Sequence, residues 1–159
     1  MKFFKIYFVF IMTITLVLIC SCFEKNSVNN PDPDPEPNIE EMKQELLDLI
    51  NEHRTEKSLS ILNSEADLDS VAFKQSVNMA KMQSTEDTGL DDLLDAYRII
   101  YPNANIRSVL ASNSNGEPST VYSMIRDFQI TLIEGDYNYI GIGINKIGSY
   151  YFTVLFCKK

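Results

Sequence analysis

Residues 31–37 read Pro-Asp-Pro-Asp-Pro-Glu-Pro, and no packed element can run through them. Each proline fixes φ and removes a backbone donor, so neither a helix nor a central strand survives there. The acids in between repel one another, which favours an extended, polyproline-like spacer. Asp32, Asp34 and Glu36 do not make a calcium site, because the prolines between them stop the chain from curling around an ion. Phe23 to Pro37 is therefore a tether, and a domain has to be built from 38–159.

The segment before the tether has a different character. Lys2 and Lys5 give a basic start, and Ile6 to Cys20 follow as an apolar run broken only by Thr13 and Thr15. That run is about 15 residues, short of the roughly 20 a helix needs to cross a bilayer. Ile19-Cys20-Ser21-Cys22 resembles the lipobox of bacterial lipoproteins, with small Ser21 just before the cysteine to be lipidated. The expectation is a signal peptide at 1–21, a lipidated N-terminus and linker at 22–37, and one domain at 38–159. Diacylation of Cys22 adds hydrocarbon worth ~0.8 kcal/mol per buried CH₂, an effectively permanent anchor. Phe23 is not a retention aspartate of the enteric kind, which favours the outer membrane or cell surface of a bacterium.

Charge narrows the partners. The chain carries 14 Lys and Arg against 22 Asp and Glu, a net −8 at pH 7. Removal of residues 1–21 takes two of the lysines and no acid, so the acidic excess grows. Nucleic acid is excluded, because phosphate binding needs a basic face. With Cys20 in the export signal and Cys22 lipidated, only Cys157 of the three cysteines remains, so no internal disulfide can form.

In the domain, Asn38 with Glu41 three residues on forms a capping-box-like start. Ile39, Met42, Leu46, Leu49, Ile50 and His53 then recur at helical spacing to about Glu56. Ser58 to Leu62 is a short extended connection. Ser64, with Asp67 three on, is expected to open a second helix with an inner stripe of Leu68, Ala72, Gln75, Met79 and Met82. Gln75 is the polar exception on that line. Leu90 to Ile100 reads as a third helix ending before Pro102. Ile106 to Ala111 reads as a strand, and Pro118 starts a fourth helix through Val121, Met124, Ile125 and Phe128. Tyr139 to Ile144 and Tyr150 to Phe156 read as strands of a hairpin. Helices first and paired strands last predict an α+β domain, an antiparallel sheet flanked by about four helices.

These elements together resemble the CAP superfamily of cysteine-rich secretory proteins, antigen 5 and pathogenesis-related proteins. Leu46 to Arg54 (LLDLINEHR) is similar to the family's opening helix. Ser58-Leu59-Ser60-Ile61-Leu62 resembles its G-L-x-x-L, and Leu68 to Ala80 (LDSVAFKQSVNMA) its L-x-x-A-A-x-x-H-S-x-x-M-A. Tyr139 to Ile144 (YIGIGI) resembles I-G-V-G-V, and Tyr150 to Thr153 the Y-Y-W-T strand after it. The resemblance implies an α/β/α sandwich, with Asn51 and Arg54 tying the first helix to neighbouring backbone.

The resemblance also implies a cavity built from two histidines and acidic residues, and here the sequence departs from it. Gln75 stands at the first histidine, followed by Ser76. Asp127 to Asp136 holds no second histidine. Ile106-Arg107-Ser108-Val109 replaces G-E-N-I, so Arg107 takes the place of an acid. Gln75, Ser76 and Arg107 thus mark a degenerate cavity. An amide neither cycles a proton at neutral pH nor replaces imidazole on zinc.

The remaining candidates favour structure over chemistry. His53, the one histidine, reads as a packing or helix-end residue. Cys157 lies on a strand and reads as a buried or half-buried inert thiol. Asp91, Asp92 and Asp95 suit a helix start, and Glu65, Asp67 and Asp69 are expected on a solvated first turn. Gly141-x-Gly143 lacks the strand–turn–helix setting of a dinucleotide site. No catalytic residue, metal or cofactor is assigned. The expectation is a lipid-anchored binding module whose partner is a protein, a glycan or an apolar molecule. The alternatives are a hydrolase built on carboxylates or Ser76, and a carrier of lipid or sterol.

Overall fold

A computed structural model describes residues 38–159; the expected signal peptide, Cys22 and the tether lie outside the described residues. The first helix, α1 (Ile39–Glu56), starts as expected at Asn38, whose side chain accepts from the Glu40 N–H at 3.0 Å and donates to Glu41 at 3.2 Å. Its apolar stripe buries Met42, Leu46 and Ile50. At its end the Leu59 N–H reaches back to the Arg54 carbonyl at 2.8 Å, with Ser58 in the left-handed region at φ 59°. This is the Schellman arrangement, which satisfies carbonyls the helix would otherwise leave bare.

Four further helices follow: α2 (Ala66–Met82), α3 (Leu90–Ile100), α4 (Pro118–Phe128) and α5 (Ile130–Glu134). The strands are β1 (Asn63–Ser64), β2 (Ile106–Asn113), β3 (Tyr139–Ile147) and β4 (Tyr150–Lys158), in the sheet order β1-β3-β4-β2. β3 and β4 form the expected hairpin, and β2 lies antiparallel on the other side of β4. The two residues of β1 add a parallel edge to β3, so the sheet is antiparallel with one short parallel pairing.

Strand alternation divides the core. Val109, Ala111, Ile140, Ile142, Ile144, Leu155 and Cys157 share one cluster with Met42, Leu46 and Ile50 of α1, Val121 and Ile125 of α4, and Leu132 and Ile133 of α5. Phe152, Val154 and Phe156 share the other with Leu68, Ala72 and Met79 of α2 and Leu90, Leu94 and Tyr97 of α3. The layers are therefore helix, sheet, helix, as the α/β/α reading requires.

Several local expectations are corrected. Ser64 does not cap α2: Glu65 occupies the cap position, and the Ser64 hydroxyl donates to Asp69 at 2.9 Å. Met82 and Phe128 stand on the last turns of their helices and are 42% and 83% exposed. Met124 also lies outside the core, and α5, absent from the sequence reading, supplies Leu132 and Ile133 in their place. The acids around the start of α2 are not simply solvated. Asp69 accepts from the Ile142 N–H at 2.7 Å, extending the ladder where β1 runs out. Asp67 accepts from Tyr101 at 2.5 Å, and Glu65 pairs with Lys158 and Tyr97.

Candidate functional site

α2 lies against the sheet where β3 carries Gly141 and Gly143: a Cβ at either would collide with the backbone of Leu68 or Ala72. This close approach seals the residues on the inner side of α2. Gln75 is fully buried, and neither its Nε2 nor its Oε1 has a hydrogen-bond partner among the described residues. An unmade bond at a buried polar group costs about 1–3 kcal/mol, so the amide is a strained occupant of a core position. Ser76 is equally buried, and its hydroxyl donates to the Phe73 carbonyl at 2.8 Å within the same helix. A hydroxyl so engaged, without a base, is not poised as a nucleophile.

Arg107 does not join them. It is exposed on β2 and, by alternation along the strand, shares the face of Val109 and Ala111, opposite the face that α2 covers. It borders a cavity of about 450 Å³ with Ser108, Gln129, Thr131, Leu132 and Tyr137. The grouping of Gln75, Ser76 and Arg107 in one cavity is thereby corrected. A shift of one residue along a strand turns a side chain to the other face, and motif matching does not fix register to that accuracy.

No protein-family model matches the chain, and no curated protein does. Solved structures do. An outer surface protein of Borrelia burgdorferi superposes with a TM-score of 0.67 at 19% identity, over 77% of this chain and 96% of that one. A cysteine-rich secretory protein of Staphylococcus aureus gives 0.57 at 21% identity, over 79% of this chain and 40% of its own. An extracellular protein containing an SCP domain from Bacillus anthracis gives 0.57 at 17% identity, over 77% and 44%. The chain has a CAP-like fold. It spans less than half the length of the staphylococcal and bacillar chains and nearly all of the borrelial one.

In this CAP-like domain the polar side chains Asn51 and Arg54 near the end of α1 act as clamps. Asn51 donates to the Leu62 carbonyl at 3.0 Å and accepts from the Leu62 N–H at 2.8 Å, mimicking a strand partner. Arg54, 2% exposed, donates to the carbonyls of Ser60, Ile133, Gly135 and Tyr137. Burial lowers its pKa from the usual value, an effect partly countered by the nearby Asp136 carboxylate.

Sequence reasoning placed His53 at the helix end but missed its partners. The ring lies between Glu134 of α5 at 3.0 Å from Nε2 and the Tyr122 hydroxyl of α4 at 3.0 Å from Nδ1. Nε2 can donate to the carboxylate, and Nδ1 faces a hydroxyl that can either donate or accept, so both ring nitrogens are partnered. The signal was Glu134 itself, hidden in a segment read only for its missing histidine. Also unforeseen is Lys158. Its ammonium pairs with Glu65, donates to the Tyr97 hydroxyl at 3.0 Å, and lies 4.6 Å from the centre of the Tyr139 ring and 4.8 Å from that of Tyr101.

Cys157 is fully buried, and burial pushes its thiol up to about 12 despite the nearby Arg54 charge. It is a packing residue. Among the described residues no group of three or more His, Cys, Asp or Glu side chains is placed to hold a metal ion.

Proposed function

We propose that the chain is a lipid-anchored, extracytoplasmic CAP-like module that binds a partner (a protein, a glycan or an apolar molecule) without performing chemistry on it. One observation carries this reading: the position matched to the family's first histidine holds Gln75, sealed under the sheet with its amide unpartnered. A group that neither titrates nor meets solvent does not act as an acid, a base or a zinc ligand. The hydrolase alternative loses its best residue, because Ser76 is buried and bonded within its own helix.

A surface location is supported by the named homes of the similar structures, an outer surface protein and two secreted or extracellular ones. The basic start, short apolar run and Ser21-Cys22 pair support export and lipidation at Cys22. Two measurements test the proposal. Zinc titrated calorimetrically into the full chain is expected to show no stoichiometric site; a one-to-one site lost in Gln75→Ala overturns the non-catalytic reading. Labelled palmitate is expected to enter the wild type and not Cys22→Ala, and equal labelling of both removes the anchor.

A further inference from the structure

Among the described residues, Arg107 alone of the four arginines has no hydrogen bond or ion pair. Arg54 is spent on carbonyls, Arg98 on Asp95 and Arg126 on Asp127. In an acidic chain an unpaired guanidinium is conspicuous, and Arg107 does not stand on a flat surface. It borders the cavity of about 450 Å³ between β2 and the α4–α5 connection. That volume falls within the range of small-ligand sites.

The side chains around it suit an anion. Among the described residues, Ser108, Gln129, Thr131 and Tyr137 bring hydroxyl and amide groups that have no side-chain hydrogen bond, Leu132 gives an apolar floor, and no carboxylate lines the cavity. The wall is held in advance of any ligand. Arg54 fixes the carbonyls of Ile133, Gly135 and Tyr137 from the core side, and the Gln129 N–H closes α4 onto Ile125 at 2.7 Å. A fixed wall spares the ordering cost of binding.

We infer that the Arg107 cavity binds a carboxylate, in the form of the C-terminal residue of a peptide. A guanidinium fork matches a carboxylate with two parallel hydrogen bonds. One cation in a strongly acidic chain balances a monoanion better than a phosphate dianion. The Gln129 amide can both donate to and accept from the adjoining peptide group, and Leu132 can meet a small apolar side chain. This site lies on the face of the sheet away from Gln75, so it stands or falls independently of the proposed function.

The test uses calorimetric titration of the full chain in detergent with N-acetylalanine, N-acetylalaninamide, glucuronate and inorganic phosphate. N-acetylalanine is expected to bind saturably, and the amide at least about tenfold more weakly, since it offers the guanidinium no charge-assisted hydrogen bond. Arg107→Gln is expected to lose about tenfold or more without a change in melting temperature, and Arg107→Lys to fall in between. No saturable binding, equal binding of the amide, or equal binding by Arg107→Gln overturns the site. Tighter binding of glucuronate or phosphate overturns the peptide assignment.

Discussion

Ala72 occupies the space that a side chain on Gly143 would need, and Leu68 stands in the same relation to Gly141. Alternate residues of a strand point to one face, so Gly-x-Gly clears a flat strip on which the backbone of α2 rests. Gly143→Ala is therefore expected to force the helix off the sheet at a cost of about 1–3 kcal/mol, the usual scale of overpacking. Urea denaturation measures it. An unchanged midpoint would mean that α2 does not lie so close.

Ser58 holds a left-handed conformation where the family resemblance places glycine. A residue with a Cβ costs roughly 1–2 kcal/mol in that region, partly offset by the freedom glycine has when unfolded. Ser58→Gly is expected to raise stability by about 0.5–1 kcal/mol, read as a higher urea midpoint at constant slope. A fall would indicate that the Schellman end of α1 is held differently.

Most of the architecture was legible because it rests on periodicity. The 3.6-residue stripe of α1, the proline at the start of α4 and the apolar runs of β3 and β4 each record burial in residue order. Helix ends were read less well. Ser64 has the right side chain for a cap, but Asp69 takes its hydroxyl, and Glu65 enters the cap position instead. α5 was missed because five residues give too little repeat to see. The site was half legible. Gln75 announced itself as a polar residue on an apolar line, whereas the pairing of His53 with Glu134 spans 81 residues and leaves no local trace. Arg107 was misplaced because a resemblance fixes neighbourhood and not strand parity.

Cys157 makes stability depend on alkaline pH. Its folded pKa is raised, from 9.0 to about 12, chiefly by burial. Below pH 9.0 both states hold the proton and the stabilisation is complete. Above it the unfolded thiol ionises while the folded one does not, so unfolding gains up to about 1.36 kcal/mol per pH unit until the folded thiol also titrates. Cys157→Ala should remove this part of the slope between pH 9.0 and about 12. Stability curves of the two proteins that run parallel across that range would show the thiol is not so deeply buried.

The account turns on whether position 75 is a closed core site. Gln75→Met keeps the length of the side chain and removes both unpartnered polar atoms, so the free energy of unfolding in urea should rise by about 1–2 kcal/mol, or at least not fall. A loss of more than about 1 kcal/mol would mean that the amide is satisfied by bonds the sealed geometry does not provide, and that the position is open to chemistry after all.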